Sequence, residues 1–167
     1  MNDTIKTIMN RKSVRKFSNK PITEQDVRTI LQAGMSGPSC VNSRCWSFVV
    51  VQDKELLRKM ADANVKYADP LRGATLGILV CGDLSRTEFF ASSREFWVID
   101  GAIAAQNMIL AAESLGIGSC WLGTWPVIWM VDRYRALRVR RDSSTSDTTP
   151  PMEPSTHSSV MVLGSPA

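Results

Sequence analysis

Apolar residues recur at helical spacing in the first third of the chain. Ile5, Ile8 and Met9 form one apolar stripe behind Asp3 or Thr4 as cap. Val27, Ile30 and Leu31 form a second behind Thr23, with Asp26 three residues later in a capping-box-like place and Gly34 to Ser39 as the stop. The continuous apolar run Phe48-Val49-Val50-Val51 predicts a buried strand over Trp46 to Val51. Asp53 can cap a third helix over Leu56, Leu57 and Met60. Residues 64 to 74 read as a mobile loop, Thr75 to Cys81 as a second buried strand ending at Gly82, and Ser85 to Ser93 as a polar excursion. The longest helical pattern runs from Phe96 to Leu115 around small residues at its centre, and Gly116 supplies a left-handed C-cap. A helix apolar on so much of its circumference lies in the core or at a subunit interface. Ser119 to Gly123 and Val160 to Leu163 are the third and fourth strand candidates. Strands and helices intermix without a regular βαβ repeat, which predicts an α+β fold.

Composition narrows this only a little. With 167 residues, 44% apolar and 22% charged, the chain is expected to form one soluble domain over residues 1–167. The net charge of +4 favours anionic ligands mildly and is too small to argue for nucleic acid. No apolar run approaches the ~20 residues that cross a bilayer, so no membrane association is expected, and the polar start Met1-Asn2-Asp3-Thr4 predicts no signal peptide. Cys40, Cys45, Cys81 and Cys120 lack metal-type spacing and read as reduced, mostly buried thiols of a cytoplasmic protein. His157, the single histidine, cannot by itself build a metal site or a hydrolytic triad.

Candidate chemistry gathers in three places. Residues 11 to 20 hold five basic side chains and no acidic one, and in Arg11-Lys12-Ser13-Val14-Arg15-Lys16-Phe17 a hydroxyl stands between two arginines. Guanidinium groups bind phosphate in a planar, bidentate way, and in an extended run Arg11, Ser13 and Arg15 share one side while Val14 faces the other. The second place is the loop Gly37 to Trp46, where Ser39 and Asn42 can hydrogen-bond a polar ligand or simply their own backbone. The third is Leu115 to Gly123. It is no dinucleotide fingerprint, since a third glycine is missing and the segment follows a helix instead of opening one. It reads as a helix stop followed by a strand ending in glycine, where backbone N–H groups can approach a flat ligand closely.

These segments together resemble the nitroreductase-like flavoprotein family in its short, single-domain form. The matching parts are R-x-S-x-R-x-F at Arg11 to Phe17, P-S-x-x-N-x-x-x-W at Pro38 to Trp46, the long helix through Asp100 and the strand Leu115 to Gly123, in order over residues 1 to about 126. The resemblance implies a mixed, mainly antiparallel sheet flanked by helices, an intertwined homodimer, and FMN held between the subunits. Arg11 and Ser13, with Lys12 nearby, would then hold the phosphate, and Arg15 would sit by the pyrimidine end of the ring. Pro38, Ser39, Cys40 and Asn42 would reach the same flavin from the other subunit, and Trp121, Leu122, Gly123 and Thr124 would lie along it. Tyr67, Phe89 and Phe90 would cover the substrate. The implied activity is that of an NAD(P)H-dependent nitroreductase-type flavin oxidoreductase. NADH or NADPH reduces the flavin, and a small-molecule acceptor such as a nitroaromatic or a quinone is reduced in turn by a ping-pong scheme. No catalytic side chain and no metal are expected, because the cofactor carries the chemistry.

Departures from the family pattern shape two further expectations. Arg44 and Cys45 stand where Gln-Pro is usual. Past Pro126 the motifs fade: residues 133 to 141 carry five arginines, and residues 143 to 159 contain ten serines or threonines and three prolines. Residues 127–159 are thus expected to be atypical and poorly packed. Relatives commonly continue past the position of Ala167 with Lys or Arg, so a weaker hold on the FMN phosphate is expected. The rival readings are a flavin-binding protein with little or no turnover and, ranked below it, a basic binding module.

Overall fold

A four-stranded sheet in the order β1-β2-β4-β3 divides the molecule, with every neighbouring pair antiparallel. The strands are β1 Trp46–Val51, β2 Leu76–Gly82, β3 Gly118–Leu122 and β4 Ser158–Gly164. The helices are α1 Asp3–Asn10, α2 Glu24–Met35, α3 Lys54–Asn64, α4 Asp69–Gly73, α5 Phe96–Ser114 and α6 Ile128–Ala136. The computed structural model describes residues 1–64, 67–87, 95–137 and 158–166, the side chains of Ser158 and Ser159 excepted.

Strand alternation sorts the core into two layers. Leu76, Ile78, Val80, Met161 and Leu163 face Val27 and Ile30 of α2 and Ala105, Met108, Ile109 and Ala112 of α5. Leu79, Cys81, Val160, Val162, Cys120 and Leu122 face Leu57 and Met60 of α3, Leu71 of α4, and Met130 and Tyr134 of α6. Because β2 and β4 are central and covered on both faces, they read as unbroken apolar runs and not as alternating ones. Gly34 lets α2 approach α5: a Cβ there would meet Met108 Cγ at 2.8 Å. Leu163 is fully buried, and Leu163→Ala is expected to cost about 2–5 kcal/mol through lost transfer and a residual cavity. Urea unfolding should register this as a lower midpoint at an unchanged slope.

The α+β expectation and all four strands agree with the structure. Thr23 caps α2 by accepting the Asp26 N–H at 3.1 Å, and Asp53 accepts the Leu56 N–H at 2.6 Å at the start of α3. Gly116 takes the left-handed conformation after α5, at φ 71°.

The α1 stripe of Ile5, Ile8 and Met9 is exposed in this chain. Three expectations need correction. Asn2, one residue before Asp3 and two before Thr4, caps α1 by accepting the Ile5 N–H. Within the expected loop, residues 69 to 73 form α4, with Pro70 inside its first turn and Leu71 fully buried. The beginning of segment 127–159 is folded, since α6 buries Met130, Val131 and Tyr134. The Ser/Thr/Pro-rich part of that segment, Phe89 and Phe90, and His157 lie outside the described residues.

Candidate functional site

The basic run is held against the outer edge of β3. Val14 N–H donates to Ser119 O at 2.8 Å, Ser13 pairs with Ser119 in a parallel bridge, and Phe17 pairs with Pro166. Glycines make room for the two apolar anchors. A Cβ at Gly118 would lie 2.9 Å from Val14 Cβ, and one at Gly164 would lie 2.6 Å from the Phe17 ring. With Val14 and Phe17 turned inward, Lys12, Ser13, Arg15 and Lys16 stand exposed and Arg11 half-buried. Among the described residues no carboxylate pairs with Arg11, Lys12, Arg15 or Lys16. The charge of Arg15 is felt on β3, where it draws the Cys120 thiol down against the larger upward push of burial. Four cations on one edge with no anion of their own form a site for an anionic ligand.

The strand runs from this edge toward open space. Trp121 is 37% exposed, and a Cβ built at Gly123 would meet nothing within 4 Å. Leu122 turns its side chain into the core at 5% exposure, so the expectation that it lies along a ligand is confined to its backbone. Thr124 is fully buried, and among the described residues its Oγ1 has no hydrogen-bond partner. Beside Trp121 lies a shallow cleft of about 130 Å³, lined by Val80, Cys81, Trp97, Val98, Gly101, Ala102, Trp121 and Trp125. Trp97 and Trp125 meet edge to face at 5.5 Å. Apart from Trp121, these lining residues carry no motif. A cluster of tryptophans around positions 97 to 129 is the one trace of them in the sequence.

The loop containing Pro38, Ser39, Cys40 and Asn42 sits elsewhere, on the first turns of α5. Asp100 of that helix, 2% exposed, accepts the Cys40 N–H with both carboxylate oxygens at 3.1 and 3.2 Å. It also receives the Cys45 thiol at 3.4 Å and the Ser43 hydroxyl at 3.5 Å. Ser39 Oγ accepts the Arg44 N–H at 2.9 Å, and Asn42 Oδ1 accepts from Arg44 Nε at 3.1 Å. Three residues here carry side chains at left-handed φ: Val41 at 46°, Asn42 at 58° and Arg44 at 48°. Such backbone costs roughly 1–2 kcal/mol per residue for most side chains, and less for Asn. The structure thus brings the basic run and the end of β3 together. Among the described residues no hydrogen bond or ion pair joins Pro38, Ser39, Cys40 or Asn42 to them. Tyr67 is exposed.

Burial, reinforced by Asp100, pushes the Cys45 thiol from 9.0 up to about 11. The neutral thiol is the form that fits the fold, so its contribution to stability is complete below pH 9 and is lost as pH rises from 9 toward 11. Cys45→Ser should flatten the decline of the melting temperature between pH 8 and pH 11. Some decline should remain, because burial also raises Cys120 and lifts Tyr134 to about 12.

Comparison with known proteins bears on this geometry. The model of the Nitroreductase family matches residues 8–69 and 63–140. A protein of Archaeoglobus fulgidus named for NADH dehydrogenase/NAD(P)H nitroreductase activity is 38% identical over 138 residues, 83% of this chain and 75% of that protein. A structure of the same name from Bacteroides thetaiotaomicron superposes with a TM-score of 0.80 at 34% identity, covering 100% of this chain and 88% of that one. A nitroreductase of Desulfovibrio desulfuricans, solved in complex with FMN, gives 0.77 at 26% identity over 100% of this chain and 88% of that one. The family match reaches residue 140, past Pro126, where the motifs were expected to fade.

Proposed function

This chain belongs to the nitroreductase family, and on that premise we propose that it is an FMN-dependent oxidoreductase. It takes electrons from NADH or NADPH and passes them to a small electron-poor acceptor, a nitroaromatic or a quinone. The observation that carries this reading is the basic run bonded edge to edge with β3, its cations paired with no carboxylate among the described residues and its line leading to the open backbone at Gly123.

The donor set suits FMN. Arg11, Lys12 and Ser13 offer two cations and a hydroxyl to a phosphate, which accepts short, charge-assisted hydrogen bonds. Arg15 places positive charge beside the strand, where it favours negative charge on a reduced ring. Trp121, Thr124 and the backbone of Leu122 and Gly123 would lie along the ring, and among the described residues the buried Thr124 Oγ1 has no hydrogen-bond partner. Bound FMN supplies hydride acceptance and hydride delivery. The chain holds the phosphate, orients the ring and leaves one side open to donor and acceptor.

The site is completed by a second copy. α5 puts Ala104, Ala105, Met108 and Ala112 against this chain's own core and leaves Phe96 and Ile99 exposed, and the exposed stripe of α1 adds Ile5, Ile8 and Met9. Apolar helix faces of this kind become buried in a twofold interface. In the proposed homodimer, Pro38, Ser39, Cys40 and Asn42 of one copy reach the flavin of the other. Among the described residues no helix is long and apolar enough to cross a membrane, and a cytoplasmic location fits four cysteines that form no disulfide with one another.

Steady-state rates with NADPH or NADH against a quinone should give parallel double-reciprocal lines, and anaerobic NADPH should bleach the flavin. Bound flavin that no nicotinamide bleaches would leave a flavin carrier and overturn the enzymatic reading. Sedimentation should report a dimer, and a stable folded monomer would contradict the shared site.

A further inference from the structure

We propose that Asp100 is a positioning residue that holds the Ser39–Cys45 loop in the one shape it can present to a ligand; the ligand's being flavin rests on the function proposed above. The geometry is specific. Among the described residues the three donors to this carboxylate all come from the loop: the Cys40 N–H at 3.1 and 3.2 Å, the Cys45 thiol at 3.4 Å and the Ser43 hydroxyl at 3.5 Å. Among the described residues no Lys or Arg forms an ion pair with it, so its buried charge is directed at the loop and not at a salt bridge. A buried carboxylate is costly unless its hydrogen bonds are made, and here the loop makes them.

The loop also has bonds of its own: Ser39 O accepts the Asn42 N–H, Cys40 O the Ser43 N–H and Ser39 Oγ the Arg44 N–H, while at its end Cys45 O accepts the Asp83 N–H and Arg44 O accepts from Arg86. Val41 is 62% exposed and Asn42 is exposed, so burial of its tip does not fix it. Val41, Asn42 and Arg44 hold left-handed φ values of 46°, 58° and 48°, where a β-branched residue is a marked outlier. Such backbone persists only where its surroundings impose it. Asp100 grips the loop at Cys40, Ser43 and Cys45, on both sides of the strained tip. Proximity of the carboxylate also contributes to the raised Cys45 thiol.

The test compares wild type, Asp100→Asn, Val41→Gly and the double variant by hydrogen exchange over residues 39–45 and by fluorescence titration with FMN. An amide has one acceptor oxygen where the carboxylate has two, so Asp100→Asn should speed exchange in the loop at least 10-fold and weaken FMN binding at least 10-fold. Glycine adopts left-handed φ without strain. Val41→Gly should therefore recover at least 3-fold of both losses in the Asp100→Asn background, a recovery that a general loss of stability would not allow. Unchanged loop exchange in Asp100→Asn, or faster exchange spread along α5 with no recovery from Val41→Gly, would overturn the assignment. A wild-type protein that takes up no FMN would overturn the functional reading instead, and loop exchange alone would then decide the role of Asp100.

Discussion

Replacing Arg11 and Arg15 together by alanine should weaken FMN binding by about 10²- to 10⁴-fold and leave the fold intact. A hydrogen bond to a charged group contributes about 1.5–3 kcal/mol, so two such contacts amount to about 3–6 kcal/mol, at about 1.4 kcal/mol per tenfold. Neither guanidinium is buried, and no described carboxylate depends on either. Surface changes of this kind usually alter stability by less than about 0.5 kcal/mol, so the melting temperature of the apoprotein should barely move. Fluorescence titration and a thermal scan on one preparation separate the two effects. The loss should be larger at low salt, because exposed charges are screened over about 10 Å at 0.1 M ionic strength. Equal affinity in the double variant and wild type would remove the basic run from the site.

A second large effect is expected at Gly118, which touches no ligand in the proposed arrangement. A methyl group there would lie 2.9 Å from Val14 Cβ and Cγ1, closer than Cβ atoms approach other heavy atoms. Val14 cannot swing aside cheaply, because a β-branched side chain is stiff and its own N–H is bonded to Ser119 O at 2.8 Å. Gly118→Ala must therefore separate the run from β3. Overpacking costs typically 1–3 kcal/mol, which lowers the melting temperature by several degrees in a chain of this size. FMN affinity should fall about tenfold or more, although no side chain of the proposed donor set has changed. Val14→Gly in the same chain, which removes the Cβ that the new methyl meets as well as both Cγ atoms, should restore part of both, since the two residues are in contact and their effects are not additive. Gly118→Ala with wild-type stability and affinity would mean that the docking of the run on β3 does not govern the site.

β2 and β4 were legible as apolar runs, the signature of strands covered on both faces, β1 through Phe48-Val49-Val50-Val51, and β3 as the short segment between Gly118 and Gly123. Caps were legible where the polar residue is followed at once by a long period, as at Thr23 and Asp53. α4 was missed because five residues around a proline are too few to establish a period. α6 was hidden by the arginines that begin within it at Arg133, although Met130, Val131 and Tyr134 carry a helical spacing. The stripe of α1 was legible as a stripe, but which surface covers it depends on the rest of the molecule. The basic run was recognisable from charge alone; that Val14 and Phe17 fasten it beside β3 depends on glycines more than 100 residues away. Asp100 could have been singled out as the one charged residue between Glu95 and Glu113 in an otherwise apolar or neutral helix. Its partners were not readable, since they lie 55 to 60 residues away in a loop whose left-handed valine has no sequence signature.

The account stands most directly on titrating the apoprotein with FMN and with riboflavin, which differ only by the phosphate. It predicts that FMN binds at least 100-fold more tightly, and that the preference shrinks at least tenfold when Arg11 is alanine, with Lys12 and Ser13 still in place. Equal affinity for the two flavins, or no uptake of either, would contradict it.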